Sequence, residues 1–173
     1  MDAEMRIHDD AAPDAAGTIR VFGGVGVVDA NGAVRSPGPR QRRLLALLAI
    51  RTGSVVSVDW LAEHLWHDDD RPRAADRAIR TYVSRLRHSL PEAAQPWVET
   101  APSGYRLRAP DGAVEHLRFA ALRARAAQAR RRDDPSAAFE LLDEALGLWR
   151  GEPFRELEDL DWARADIRQL ELE

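Results

Sequence analysis

The stretch over residues 73–90, RAADRAIRTYVSRLRHSL, constrains the chain more than any other. At helical spacing Ala75, Ile79, Tyr82, Val83, Leu86 and Leu90 fall on one face. Arg73, Arg77, Thr81, Ser84 and His88 fall on the opposite face, and Arg80, Arg85 and Arg87 lie on the flanks. Asp76 is the only acid in the stretch. A surface helix usually mixes charge signs so that residues four apart pair with one another. This helix lacks the acids to do so. It must bury its apolar stripe in its own protein, and its arginines call for an anion from outside. The groove and phosphates of duplex DNA supply one.

The rest of the composition fits a protein with two faces. The formal charge of the whole chain is −4, yet residues 71–90 hold Arg71, Arg73, Arg77, Arg80, Arg85 and Arg87 against Asp76. Residues 133–173 reverse the sign, with Arg150, Arg155, Arg164 and Arg168 as their only cations. Such asymmetry predicts one part that meets nucleic acid and one that does not. All 25 basic residues are arginine, whose planar fork suits phosphate and guanine edges. Cysteine is absent, which removes disulfides, thiolate metal sites and cysteine nucleophiles. No run of about 18 apolar residues predicts a membrane span. Asp2, Glu4, Asp9 and Asp10 are wrong for an export signal, so the default location is cytoplasmic.

Read in order, residues 1–17 are acidic, alanine-rich and aperiodic, and are expected to form a disordered tail. Residues 19–22 and 25–28 read as strands around the turn Gly23-Gly24, and Asn31-Gly32 predicts a hairpin into a third strand over 33–35. Pro39 suits the first position of a helix over 40–51, rich in leucine and stopped by Gly53. Val55-Val56 reads as an extended link, and Ser57 caps a second helix running to Trp66. The loop over 67–72 leads into the arginine-rich helix. Two helices and a loop, the second helix cationic, make a helix-turn-helix layout. Residues 97–100 and 105–108 read as a hairpin placed where a wing would follow. Residues 109–113 read as a Pro/Gly linker and mark the expected domain boundary. Beyond it come helices over 114–132, 137–150 and 156–173. Leu117, Ala120, Ala121, Ala124 and Ala127 are the expected packing face of the first. Phe139, Leu142, Leu146 and Trp149 are the apolar positions of the second, and Leu157, Leu160, Ala163, Ile167 and Leu170 those of the third. Alanines at a helix–helix contact suggest the start of a solenoid too short to cover its own end, which should leave apolar surface on the last helix. The expected fold is mixed, mainly α: a winged helix-turn-helix with a small N-terminal antiparallel sheet and a C-terminal β-hairpin wing over 18–109, then a truncated TPR-like α-helical domain over 114–173.

Several blocks carry a resemblance. They are Pro39-Arg40-Gln41-Arg42, Val55-Val56-Ser57-Val58-Asp59, Leu65-Trp66, Tyr82-Val83-Ser84-Arg85-Leu86-Arg87, Gly104-Tyr105 and Ala145-Leu146-Gly147-Leu148-Trp149-Arg150-Gly151. The chain resembles the Streptomyces antibiotic regulatory proteins, the SARP family, from residue 18 onward. These proteins join an OmpR/PhoB-type winged helix to a bacterial transcriptional activation domain of TPR-like helices. The resemblance implies an activator that binds direct repeats in double-stranded DNA upstream of biosynthetic genes, self-associates on that DNA and contacts RNA polymerase through its sigma or alpha subunit. It places Arg77, Thr81, Arg85 and Arg87 at the major groove or its phosphates, and Gly104 and Tyr105 in the wing as further DNA-contacting residues. The position where the family often carries a wing-tip arginine falls on Ala101. The family's activation domain continues past the length present here.

Arg73, Arg77, Arg80, Arg85 and Arg87 should meet DNA, with Arg85 and Arg87 better placed for backbone than for bases, and His88 reads as plain surface by default or else as a phosphate contact. Thr81 and Ser84 read equally as base contacts or as plain surface. Arg40, Arg42 and Arg43 open the first helix and are expected to clamp a phosphate. His64 and His67 precede three aspartates but lack a third well-placed ligand, so a solvated turn is expected and no metal. No nucleophile elbow or P-loop is present, and neither an enzyme nor a cofactor is expected. The alternative is a helical adaptor whose winged helix no longer reads DNA.

Overall fold

A computed structural model describes residues 17–66 and 70–172 of the chain. Residues 1–16 of the expected tail, and His67, Asp68 and Asp69 of the expected loop, lie outside the described residues.

The N-terminal sheet is the anticipated antiparallel meander of β1 (Thr18–Arg20), β2 (Gly26–Val28) and β3 (Val34–Arg35), in that order. Gly23 and Gly24 take positive φ in the first turn, a conformation that costs glycine nothing. Asp29 holds the second turn, its Oδ1 accepting from the amides of Asn31 and Ala33.

Helix α1 (Pro39–Ala49) starts with proline at its first turn and runs through the centre of the protein. Leu44, Leu45, Leu47 and Leu48 are fully buried. Strand β4 (Val56–Ser57) leads into α2 (Val58–His64), whose first turn is capped by Ser57 Oγ accepting from the Trp60 amide at 3.1 Å. The arginine-rich segment forms α3 (Ala75–Ser89), packed on α1 and α2. Its expected stripe is buried at Ala75, Ile79, Val83, Leu86 and Leu90, with Tyr82 half-buried against Trp66.

A 3₁₀ turn over Glu92–Trp97, absent from the sequence reading, carries the chain to β5 (Val98–Ala101) and β6 (Gly104–Leu107). The wing has three strands, in the order β4-β6-β5, because the segment read as a link at Val56 and Ser57 pairs with Tyr105 and Gly104.

The remainder is helical: α4 (Glu115–Arg131), α5 (Pro135–Gly147) and α6 (Asp161–Leu172). Three expectations fail here. The packing face of α4 is Phe119, Leu122, Ala126 and Ala129, while Leu117, Ala120, Ala121, Ala124 and Ala127 are exposed. Helix α5 turns Ala138 and Ala145 inward and leaves Phe139 and Leu146 in solvent, 71% and 67% exposed. Its small residues let α4 approach closely, so the larger face is the one left over. Helix α6 starts at Asp161 rather than 156, because Phe154 adopts a left-handed φ of 51° and the chain makes only a 3₁₀ turn, Arg155–Leu157, before it. Uncovered apolar surface thus lies chiefly on α4 and α5, with Leu170 of α6 at the edge of a groove it shares with Leu142, Leu146 and Trp149.

The segment over 109–113 is no loose tether. Ile19 donates its amide to Ala113 O at 2.7 Å and bridges Val114. The chain between α5 and α6 folds back on the N-terminal sheet, with the Phe154 amide on Val21 O and the Gly23 amide on Glu152 O. Phe22 packs its ring on Phe119 and Trp149, and Trp60 and His64 pack on Trp162. One hydrophobic core therefore spans the winged helix and the helices after it.

Candidate nucleic-acid interface

Helix α3 and the turn that leads into it present to solvent the residues that the sequence places opposite the core. Arg73, Arg77, Arg80, Thr81, Ser84, Arg85 and His88 are all exposed. Arg73, Arg77, Arg80 and Arg85 form no ion pair with another described residue. At the N-terminal end of the helix Arg71, Arg73, Arg77 and Arg80 line an open depression of about 350 Å³ whose one acid is Asp76. Arg71 joins the others as a further candidate, signalled in the sequence by its place beside Pro72 at the head of the arginine run. Unpaired guanidiniums in water carry their full field and their full donor set, which is the condition for binding phosphates by release of counterions.

Other polar groups on this face are partly committed. Thr81 Oγ1 donates to Arg77 O at 3.0 Å, which leaves its methyl group and lone pairs for an outside contact. His88 Nδ1 lies 2.7 Å from Ser84 O. Arg87 is half-buried, donating from Nε to Val98 O at 2.8 Å and from Nη2 to Thr100 Oγ1 at 2.9 Å. It ties α3 to β5, and one terminal nitrogen is left for a partner outside the protein.

The wing needs a correction. Gly104 and Tyr105, expected at DNA, are buried. A Cβ on Gly104 would lie 1.9 Å from Val56 O, so glycine is there to let β4 and β6 approach. Tyr105 is 7% exposed. The residues at the exposed tip are Pro102 and Ser103. The one arginine within the hairpin, Arg106, is paired across the strands with Glu99 at 2.6 Å.

The expected phosphate clamp on α1 comes apart, because neighbouring positions on a helix point about 100° from one another. Arg40 donates to Leu65 O and pairs with Asp70, each at 3.1 Å. Arg42 turns toward the strand turn at residues 23–26. Arg43 is 8% exposed and makes a two-pronged ion pair with Asp159, with further bonds to His64 O and Glu156 O. It is a structural residue and cannot reach a phosphate.

Sequence reading also missed the acids that hold the parts together. Glu115 is 2% exposed, accepts from the amides of Val21 and Phe22, and is paired with Arg150. Burial, and after it the charge of Arg20, lowers the pKa of Arg150 from its ordinary value. His64 is held on its own helix, its Nδ1 2.8 Å from Trp60 O and its ring stacked on Trp60. No described helix is long and apolar enough to cross a membrane.

Comparison with known proteins agrees with this architecture. Residues 34–107 match the family described as "Transcriptional regulatory protein, C terminal", and residues 114–173 match the bacterial transcriptional activator domain. The chain belongs to the SARP family. It is 36% identical over 163 residues to the regulatory protein AfsR of Streptomyces coelicolor, covering 88% of this chain and 16% of that one. It is 31% identical over 138 residues to the transcriptional regulator RedD of the same organism, covering 77% and 39%. The solved structure of Mycobacterium tuberculosis EmbR in complex with a low-affinity phosphopeptide superimposes with a TM-score of 0.80 at 30% identity, covering 91% of this chain and 42% of that one. The chain thus spans less than half the length of these SARP-type relatives. The core they share is the winged helix with its helical continuation.

Proposed function

We propose that this chain binds duplex DNA with α3 in the major groove, using residues 18–109 as the DNA-binding unit and residues 114–173 as the protein-contacting unit. The observation that carries the reading is the outward face of α3 and the turn before it, where Arg73, Arg77, Arg80 and Arg85 stand exposed and without an ion pair among the described residues, opposite a largely buried stripe. Arg77, near the N-terminal end, is the candidate base reader, with Thr81 one turn on. Arg80 and Arg85 hold phosphates from the flanks. The targets are direct repeats upstream of antibiotic or other secondary-metabolite genes. Copies bound side by side take half-sites about one helical turn apart. Activation proceeds through the sigma or alpha subunit of RNA polymerase.

The test is a binding titration on promoter DNA at several salt concentrations. Arg77→Ala should cost roughly 1–3 kcal/mol on the cognate site and much less on unrelated DNA. Unchanged affinity on both would reject the reading. A helical adaptor that has lost DNA reading is the second possibility, favoured by the wing tip without arginine and the exposed Phe139 and Leu146. It requires no retention on any DNA at low salt.

A further inference from the structure

A second cationic feature lies apart from α3, in a hollow beside the turn that joins β1 to β2. Arg20 of β1, Arg42 of α1 and Arg155 of the 3₁₀ turn before α6 line one cavity of about 180 Å³. Backbone at Gly23, Gly24 and Gly26 forms part of its wall, and no acid lines it. The Arg20 and Arg155 guanidiniums have no hydrogen-bond or ion-pair partner among the described residues. Arg42 Nε is buried with no acceptor, and Nη1 reaches Ser36 Oγ at a long 3.4 Å. Glu156 does not line the hollow but lies behind the same turn, where its Oε1 accepts from the Val25 amide at 3.0 Å and its Oε2 is buried without a partner among the described residues.

Three guanidiniums converging from three separate segments repel one another, and a buried N–H without an acceptor adds its own cost. Both costs fall when an anion with several acceptor oxygens occupies the space. A carboxylate offers two oxygens in one plane. A tetrahedral oxyanion offers oxygens in every direction, which suits forks arriving from three sides. The small residues of the turn leave room for such a group to sit against the backbone. We propose that this hollow binds a phosphate group, as free phosphate or as the phosphate of a small phosphorylated molecule. The hollow is concave and of a size for one such group, unlike the open arginine face of α3. Arg20 and Arg42 come from the winged helix and Arg155 from the helical part, so the bound anion bridges the seam between them.

The test is calorimetric titration and thermal unfolding of the full chain with inorganic phosphate and with glycerol phosphate, ionic strength held constant with chloride. Saturable binding and a saturable rise in melting temperature are expected. Arg20→Gln or Arg155→Gln should weaken phosphate binding roughly tenfold, the loss of one charge-assisted bond. Arg77→Ala should leave it unchanged. Tighter binding of glycerol phosphate than of inorganic phosphate would identify a phosphorylated small molecule as the source, and the reverse order free phosphate. A rise matched by chloride alone overturns the proposal, as does loss of the response in Arg77→Ala with the Arg155→Gln response intact. So does an Arg155→Gln chain that binds DNA less well while responding normally to phosphate, because the hollow would then belong to the DNA track. None of these outcomes touches the reading of α3.

Discussion

Arg43 and Asp159, 116 positions apart, meet in a two-pronged ion pair of 2.6 and 2.8 Å that fastens the first winged-helix helix to the turn before α6. The arginine is buried and the aspartate side chain is about a third exposed. Asp159→Ala leaves a buried cation with only two carbonyl partners. We expect a loss of about 2 kcal/mol, below the cost of a fully desolvated pair because those carbonyls remain. Urea unfolding monitored by tryptophan fluorescence measures it. An unchanged midpoint would show that the seam does not depend on this pair.

Gly104 governs the wing through space rather than charge. Gly104→Ala drives a methyl group into Val56 O and should separate β4 from β6 at a cost of roughly 3 kcal/mol, beyond ordinary overpacking because the obstacle is backbone. Ser103→Ala, at the exposed tip, should leave stability within about 0.5 kcal/mol of the parent. Equal thermal stability of the two variants would contradict this account.

Arg80 and Arg87 lie on one helix but do different work. Arg80→Ala should lower DNA affinity, reduce the salt slope by about one and leave the melting temperature alone. Arg87→Ala also removes the bonds to Val98 and Thr100, so it should lose about 1 kcal/mol of stability as well. Paired salt titrations and unfolding curves separate the two. A stability loss in Arg80→Ala would mean that its side chain is structural.

These contrasts show where the sequence is legible. Helix α3 could be read because its apolar and cationic residues fall on opposite sides of one period, so only one orientation buries grease and exposes charge. Helix α5 could not, because Ala138 and Ala145 form one apolar side and Phe139 and Leu146 another, and periodicity does not say which meets α4. Arg40, Arg42 and Arg43 look alike in sequence. Their fates are set by Asp70, by the 23–26 turn and by Asp159, all distant in the chain. Gly104 and Tyr105 look like contact residues in sequence, yet their surroundings are fixed by β4, which pattern alone presents as a link.

His116 supplies a test of the same seam by pH. It is 9% exposed, its Nδ1 is buried without a partner, and its ring packs edge-on against Phe154. Burial lowers its pKa from 6.5 to about 4. The folded protein therefore keeps the ring neutral where the unfolded chain takes up a proton. Stability from this group is complete above pH 6.5 and drains away as pH falls toward 4. Between pH 7 and pH 5 the loss should be about 2 kcal/mol at most, and about 3 kcal/mol by pH 4. In His116→Leu the neutral filler removes the proton linkage, so its unfolding free energy should fall less than that of the parent over the same interval. Parallel curves for the two proteins would show that protonation of His116 does not carry the acid sensitivity.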